Sequence, residues 1–211
     1  MMKQPFDYSL YVITDSKPHL LERVELALIG GATCIQYREK KKSFAEMLIE
    51  AHLLKKLCHQ YQVPLFINDH IHLAKEINAD GLHLGQSDAT VAEARIHLDH
   101  LPIGVSARTV AEAEEAEKNH AVYVGVGAIF PTNSKPDAKL VSWDIAMQIK
   151  QHISIPALLI GGISVETASE ITIPYDGLCV ISAVLAAKNP TIATQEFKKI
   201  IEKNRNLSSG Y

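Results

Sequence analysis

Eight short apolar runs alternate with segments of helical apolar spacing along 211 residues, about 26 residues to each unit, and polar residues collect just past the ends of the runs. These observations predict an α/β fold, a single (β/α)8 TIM barrel over residues 1–211 with little chain left for insertions. An open doubly wound sheet is the alternative, but eight units of similar length favour closure. In such a barrel the chemistry belongs at the C-terminal strand ends.

Tyr8 to Thr14 opens as a strand, and Leu20 to Ile29 has helical spacing that Gly30-Gly31 stops. Thr33 to Arg38 is the second strand, followed by a long amphipathic helix over Phe44 to Tyr61 capped by Ser43. Leu65 to Ile67 is a buried strand closed by Asn68-Asp69, Ile71 to Ile77 a short helix, and Gly81 to Leu84 a strand closed by Gly85-Gln86 and Asp88. Val91 to Leu98 is the next helix, Ile103 to Ser106 the fifth strand and Val110 to Lys118 its helix. Val122 to Gly127 is a strand, Trp143 to His152 a helix, Ala157 to Ile160 a strand, Val165 to Ile171 a helix and Gly177 to Ser182 the eighth strand. Glu196 to Lys203 closes the chain as a helix, and the polar stretch Asn204 to Tyr211 is expected to fray.

Hydrophobic residues make up 47% of the chain and charged ones 21%, the balance of a soluble globular enzyme. A net charge of −3 offers no nucleic-acid surface, so any anion site must be local. The N-terminal MMKQPFDYSL lacks the apolar core of a signal peptide, and no run reaches membrane-spanning length. The expected location is the cytoplasm, with no membrane partner. Cys34, Cys58 and Cys179 lack metal-type spacing and read as core packing in a reducing compartment. A homo-oligomer is left open.

In a parallel strand-helix-strand unit both strands finish at the same edge, so Asp69 and Asp88 are expected close together at one rim. Close carboxylates repel unless a cation or a proton lies between them. With Asn68 beside them and no cysteine nearby, Mg²⁺ suits the pair better than zinc. Taken singly, Asp69 reads as a helix cap and Asp88 as a turn residue; together they favour the metal.

The second strand runs out into Gln36-Tyr37-Arg38-Glu39-Lys40, where alternation turns Gln36, Arg38 and Lys40 to one side and Tyr37 and Glu39 to the other. That is a site for an anionic, hydrogen-bonding ligand, or else a solvated charge run before a helix. Ser106 ends the fifth strand with a hydroxyl. The rim loop over 130–137 carries Thr132, Asn133, Ser134 and Lys135 between prolines, a semi-rigid anion loop and lid candidate set against a plain surface loop. Gly161-Gly162-Ile163-Ser164 and Ile181-Ser182-Ala183 follow the last two strands, a frequent phosphate site in barrels because glycine admits a ligand and free amides attract it. Two anion regions suggest two phosphorylated small-molecule substrates. His70 and His72 form an H-x-H that is a weak zinc signal, and most of the ten histidines read as surface or supporting residues.

Across nearly the whole length these motifs, from Tyr11-Val12-Ile13-Thr14-Asp15 through Gln36 to Lys40, Asn68-Asp69, His83 to Asp88, Gly104-Val105-Ser106, Pro131 to Pro136 and Ile160 to Ile163 to Ile181-Ser182-Ala183, resemble the thiamine phosphate synthase family. The resemblance implies a barrel enzyme joining a hydroxymethylpyrimidine diphosphate to a thiazole phosphate, carboxylated or not, with release of diphosphate. By position it implies that Gln36, Tyr37, Arg38, Glu39, Lys40, Asn68, Ser106 and Lys135 hold the pyrimidine diphosphate. Thr132, Asn133, Ser134, Gly162, Ile181 and Ser182 would hold the thiazole phosphate, and Asp69 and Asp88 would bind Mg²⁺. The family chemistry is dissociative, with a pyrimidine carbocation captured by the thiazole nitrogen, so charge stabilisation by Arg38, Lys40, Ser106 and Lys135 would carry catalysis.

This chain departs from the family pattern at Ser134, where a second threonine is common, at Arg108, where a histidine is common, and at Gly127-Ala128, where Gly-Pro is common. Thiazole tautomerases of the same fold use a histidine near position 128, which here is Ala128. A non-catalytic phosphometabolite-binding regulator would bind ligand without Mg²⁺-dependent turnover, and a sugar-phosphate epimerase would need carboxylate and histidine metal ligands instead of a basic diphosphate pocket.

Overall fold

The computed structural model describes residues 6–132, 134 and 138–208. Eight strands close in sequence order, every neighbour parallel: β1 (Leu10–Ile13), β2 (Cys34–Tyr37), β3 (Leu65–Asn68), β4 (Gly81–Leu84), β5 (Ile103–Ala107), β6 (Tyr123–Gly127), β7 (Ala157–Ile160) and β8 (Gly177–Val180). The seam is made by Tyr11 pairing with Cys179, so no edge strand is left open. Helices α1 (Leu20–Gly30), α2 (Phe44–Gln60), α3 (Ile71–Glu76), α4 (Val91–His97), α5 (Val110–Lys118), α6 (Trp143–His152) and α7 (Val165–Ala168) return the chain between strands, and α8 (Ser182–Leu185) and α9 (Pro190–Ser208) follow the last strand.

Helix starts are set locally. Ser43 and Thr90 each accept a hydrogen bond from the backbone three residues on, while Glu46 and Glu93 reach back to the cap amide. Ser142 and Thr109 cap α6 and α5 in the simpler way.

The strands face two separate cores. Outward residues such as Ile35, Ile67 and Val124 join the helices in one large cluster. Inside, rings from strands that are not neighbours meet: Tyr11 lies 5.6 Å from Tyr123 and 5.9 Å from Phe66, centroid to centroid. Glycine makes room for them, since a Cβ on Gly81 would sit 2.1 Å from the Phe66 ring and one on Gly104 2.0 Å from Tyr123. The closed lower half is therefore a packed plug, and open space lies at the strand ends. Cys34, Cys58 and Cys179 are all buried and free, and burial pushes the Cys58 thiol up to about 12.

Most element ends shift by a residue or two from the sequence reading, and at three elements the shift has a clear local cause. The eighth strand stops at Val180, because Ile181 leaves the extended region (φ −120°, ψ −89°) and Ser182 opens α8. The helix after β7 ends at Ala168 rather than Ile171, closed by turns at Ser169 and Glu170. The last helix starts at Pro190, where the Asn189 side chain accepts from the Ile192 amide 3.1 Å away, and it continues to Ser208 instead of fraying from Asn204. Residues 209–211 of the expected tail lie outside the described residues. No helix among the described residues is long and apolar enough to cross a membrane.

Candidate active site

The turn after β2 is built around a buried carboxylate. Glu39 Oε1 accepts from the Ser16 hydroxyl at 2.8 Å and from the Lys40 and Lys41 amides at 2.7 Å each. Burial alone would raise the Glu39 pKa, but these three hydrogen bonds and nearby Lys42 outweigh it and hold the carboxyl below its ordinary value. Tyr37 points outward, donating to Glu50 Oε2 on α2 at 2.7 Å. The alternation read in the sequence is thus realised: Tyr37 and Glu39 hold the turn from behind. Gln36 is buried and its amide donates to the Tyr11 hydroxyl at 3.2 Å. Arg38 is half-buried, fixed at its backbone by Thr14 (2.8 Å), and among the described residues its guanidinium has no side-chain partner.

Asp69 follows β3 in the left-handed region (φ 62°), a conformation aspartate tolerates better than most residues. Its amide donates to the His83 carbonyl at 2.9 Å, tying the ends of β3 and β4 together. The side chain does not cap α3, whose N-cap is His70 and lacks a side-chain cap bond. Instead, Asp69 Oδ2 takes an ion pair from Lys40 and a 2.5 Å hydrogen bond from Asn68. Asp88 Oδ2 accepts from the Gly85 amide at 2.8 Å and faces the Asp69 carboxyl. Burial, then the hydrogen bond and negative charge of Asp69, raise the Asp88 pKa above its ordinary value. The two acidic residues do meet at one rim, and Asp88 also serves the Gly85 turn.

A cavity of about 680 Å³ covers the ends of β4 to β8. It brings together Ser106, Thr132, Ser134, Gly162, Ile181 and Ser182 from the sequence reading. Arg38, Lys40, Asn68, Asp69 and Asp88 stand outside its lining, toward the β2 to β4 side of the rim. Asp69 borders a second, more open depression with Phe44, His70 and His97. Asn133 and Lys135 lie outside the described residues.

Beyond β7 the backbone turns through Gly161 (φ 100°) and Gly162 (φ 63°). A Cβ on Gly162 would lie 2.3 Å from the Pro131 carbonyl, so the loop after β6 rests directly on this glycine. That loop is pinned at its ends, with Phe130 N donating to Gly161 O at 3.0 Å and Val141 N to Ala128 O at 2.8 Å. Ser182 begins α8, which has no side-chain cap, so its first amides remain available at the cavity.

Several residues of the site escaped sequence reasoning. Arg108 and Lys139 line the cavity as extra cations, and Gln86 donates to the Ser106 carbonyl at 2.6 Å. Lys139 stands four residues past Lys135 in the same loop, a spacing that was available as a signal. A further set runs down the barrel axis: His83 Nε2 lies 3.0 Å from Ser106 Oγ and His83 Nδ1 2.9 Å from the Tyr123 hydroxyl. Tyr123 in turn meets the Tyr11 hydroxyl at 2.9 Å. Strand alternation marks His83 and Tyr123 as inward residues, but their meeting needs barrel closure.

Closed parallel strands with cations, carboxylates and amide-rich loops at their C-terminal ends define a barrel enzyme that handles anionic small molecules. The sequence profile of the thiamine monophosphate synthase family matches residues 10–184. The thiamine-phosphate synthase of Clostridium acetobutylicum is 43% identical over 205 residues, covering 94% of this chain and 97% of its own length. That of Pyrococcus abyssi is 41% identical over 197 residues, covering 92% and 95%. Among solved structures, the thiamine phosphate pyrophosphorylase of Pyrococcus furiosus superposes with a TM-score of 0.87 at 37% identity, over 94% of this chain and 98% of that one. The chain belongs to the thiamine monophosphate synthase family.

Proposed function

We propose that the chain forms thiamine phosphate by joining a hydroxymethylpyrimidine diphosphate to a thiazole phosphate, releasing diphosphate, with Mg²⁺ held by Asp69 and Asp88. The observation that carries this reading is the meeting of those two carboxyls beside Lys40, on the turn that also carries Arg38. Cation, carboxylate and ligand phosphate are the parts such a site combines.

The donor set suits an oxygen-seeking ion. Burial and the neighbouring Asp69 carboxyl raise the cost of ionising Asp88, so added positive charge between the two is favourable. Among the described residues no third histidine, cysteine or acidic side chain completes a cluster. Mg²⁺ commonly takes only one or two carboxylates and fills its remaining positions with substrate phosphate and water. When bound, it would neutralise charge on the departing diphosphate.

In this reading Arg38 and Lys40 clamp the diphosphate, with Lys135 joining them, while Asn68 and Ser106 orient the pyrimidine. Gln36 supports them from below through Tyr11, and Tyr37 and Glu39 act by holding the turn. Thr132, Asn133, Ser134, Gly162, Ile181 and Ser182 receive the thiazole phosphate. Diphosphate departs first and the thiazole nitrogen captures the resulting carbocation, so catalysis is charge stabilisation with no nucleophilic side chain. Ala128 is buried and offers no acid or base at that position.

The test is product formation from the two substrates with purified protein, with and without Mg²⁺. Product should appear with Mg²⁺ and vanish with chelator. Asp69→Ala should abolish Mg²⁺-dependent turnover with the fold retained; full turnover in that variant, or product unaffected by chelator, removes the metal assignment.

A further inference from the structure

The polar chain below Ser106 has a direction that follows from donor and acceptor counting. Gln36 Nε2 is a donor only and points at the Tyr11 oxygen. Tyr11 has a single hydroxyl proton and two acceptors in reach, the Tyr123 oxygen 2.9 Å away and the weaker Cys34 sulfur, and the oxygen takes it. Tyr123, accepting from Tyr11, directs its own proton to His83 Nδ1 at 2.9 Å. A neutral imidazole that accepts at Nδ1 carries its proton on Nε2, where it faces Ser106 Oγ at 3.0 Å. The Ser106 oxygen accepts this bond, so the serine proton is turned away from the barrel axis and toward the cavity that Ser106 lines. Burial pushes both phenols far above their ordinary pKa, so they stay neutral donors throughout the accessible pH range.

We infer that His83 is a positioning residue, held in its Nε2–H form by Tyr123, and that it makes Ser106 an oriented hydrogen-bond donor toward an acceptor atom of the bound pyrimidine substrate. The inference rests on the role proposed above for Ser106 and adds what sets that hydroxyl's direction. A serine alone at a strand end samples three rotamers and donates or accepts in each. With one lone pair of its oxygen engaged by His83, the Ser106 hydroxyl is held in a rotamer that offers its proton to the substrate. The supporting groups come from β1, β2, β4 and β6, so the direction is stored in the packed barrel interior and costs no reorganisation when substrate arrives.

Two measurements test this. Nitrogen-15 chemical shifts of the labelled His83 imidazole in the unmodified enzyme should show a protonated Nε2 and an unprotonated Nδ1; the opposite tautomer overturns the inference. Steady-state kinetics of Ser106→Ala, His83→Ala, His83→Gln and the double variant Ser106→Ala/His83→Ala give the second. Each single alanine variant should lose about tenfold or more in kcat/KM. The double variant should be no worse than Ser106→Ala, because His83 acts through that serine. His83→Gln, whose amide can still donate to Ser106, should recover part of the loss. Multiplying losses in the double variant, or wild-type kinetics in His83→Ala beside an impaired Ser106→Ala, overturn the inference alone. Wild-type kinetics in Ser106→Ala overturn the proposed role of Ser106 and this inference with it.

Discussion

Glu39 shows how one buried carboxylate organises the turn that carries Arg38 and Lys40. It faces away from the rim, yet three donors from Ser16, Lys40 and Lys41 converge on one of its oxygens and fix where Arg38 and Lys40 stand. Glu39→Gln keeps an acceptor but loses the charge, and should lower stability by ~1–2 kcal/mol in urea denaturation while raising KM for the diphosphate substrate. The pH dependence follows from the lowered native pKa. The carboxylate's contribution is full above the ordinary glutamate value of 4.5 and is lost as pH falls through the lower native value. The stability gap between wild type and Glu39→Gln should therefore close on acidification below that range; a gap unchanged there refutes the assignment. Of the rim residues, Arg38, Lys40, Asp69 and Asp88 were legible in the sequence because strand alternation and chain position name them, whereas Arg108 and Lys139 were not. That Glu39 and Tyr37 serve the turn, and that Gln36 bonds Tyr11, was not legible in full, since their partners lie on other elements.

At the level of elements, the loop after β6 and the loop after β7 behave as one unit. Gly162 permits this by its positive φ and by the 2.3 Å that would separate a Cβ from the Pro131 carbonyl. Gly162→Ala should displace the Thr132 and Ser134 hydroxyls from the cavity and raise KM for the thiazole phosphate roughly tenfold, with KM for the diphosphate substrate little changed. Equal changes in both KM values would mean that the two anion regions are not separate. The helix starts tell the complementary story. Ser43→Ala should cost ~1 kcal/mol by loss of the α2 cap, read as a lowered denaturation midpoint with unchanged kcat. The Ser43 and Thr90 caps are short-range patterns that sequence displays directly. The start of α9 at Asn189-Pro190 is equally local, and the weaker apolar periodicity of its first turn concealed it.

For the whole molecule, the barrel interior divides into a packed lower plug and an open upper site, with the His83 chain crossing between them. The plug depends on matching rings with glycines across strands. Gly81→Ala would place a methyl group 2.1 Å from the Phe66 ring and should destabilise the protein by about 1–3 kcal/mol, seen in the denaturation midpoint. A midpoint equal to wild type would show that the ring has room to move. Closure in sequence order also explains the position of the acidic pair: β3 and β4 are adjacent and parallel, so residues just past both ends share one edge.

The sequence by itself determined the alternation of eight strands and helices, the edge at which polar residues gather, and the pairing of Asp69 with Asp88, because all of these follow from apolar periodicity and from the direction of parallel strands. Only the tertiary structure decided which polar groups line the rim cavity and which support them from inside the barrel. Tyr11, Gln36, His83, Ser106 and Tyr123 come from five strands spread over more than a hundred residues of chain. Their hydrogen bonds exist only once the sheet has closed and buried them away from water, where each donor must find an acceptor.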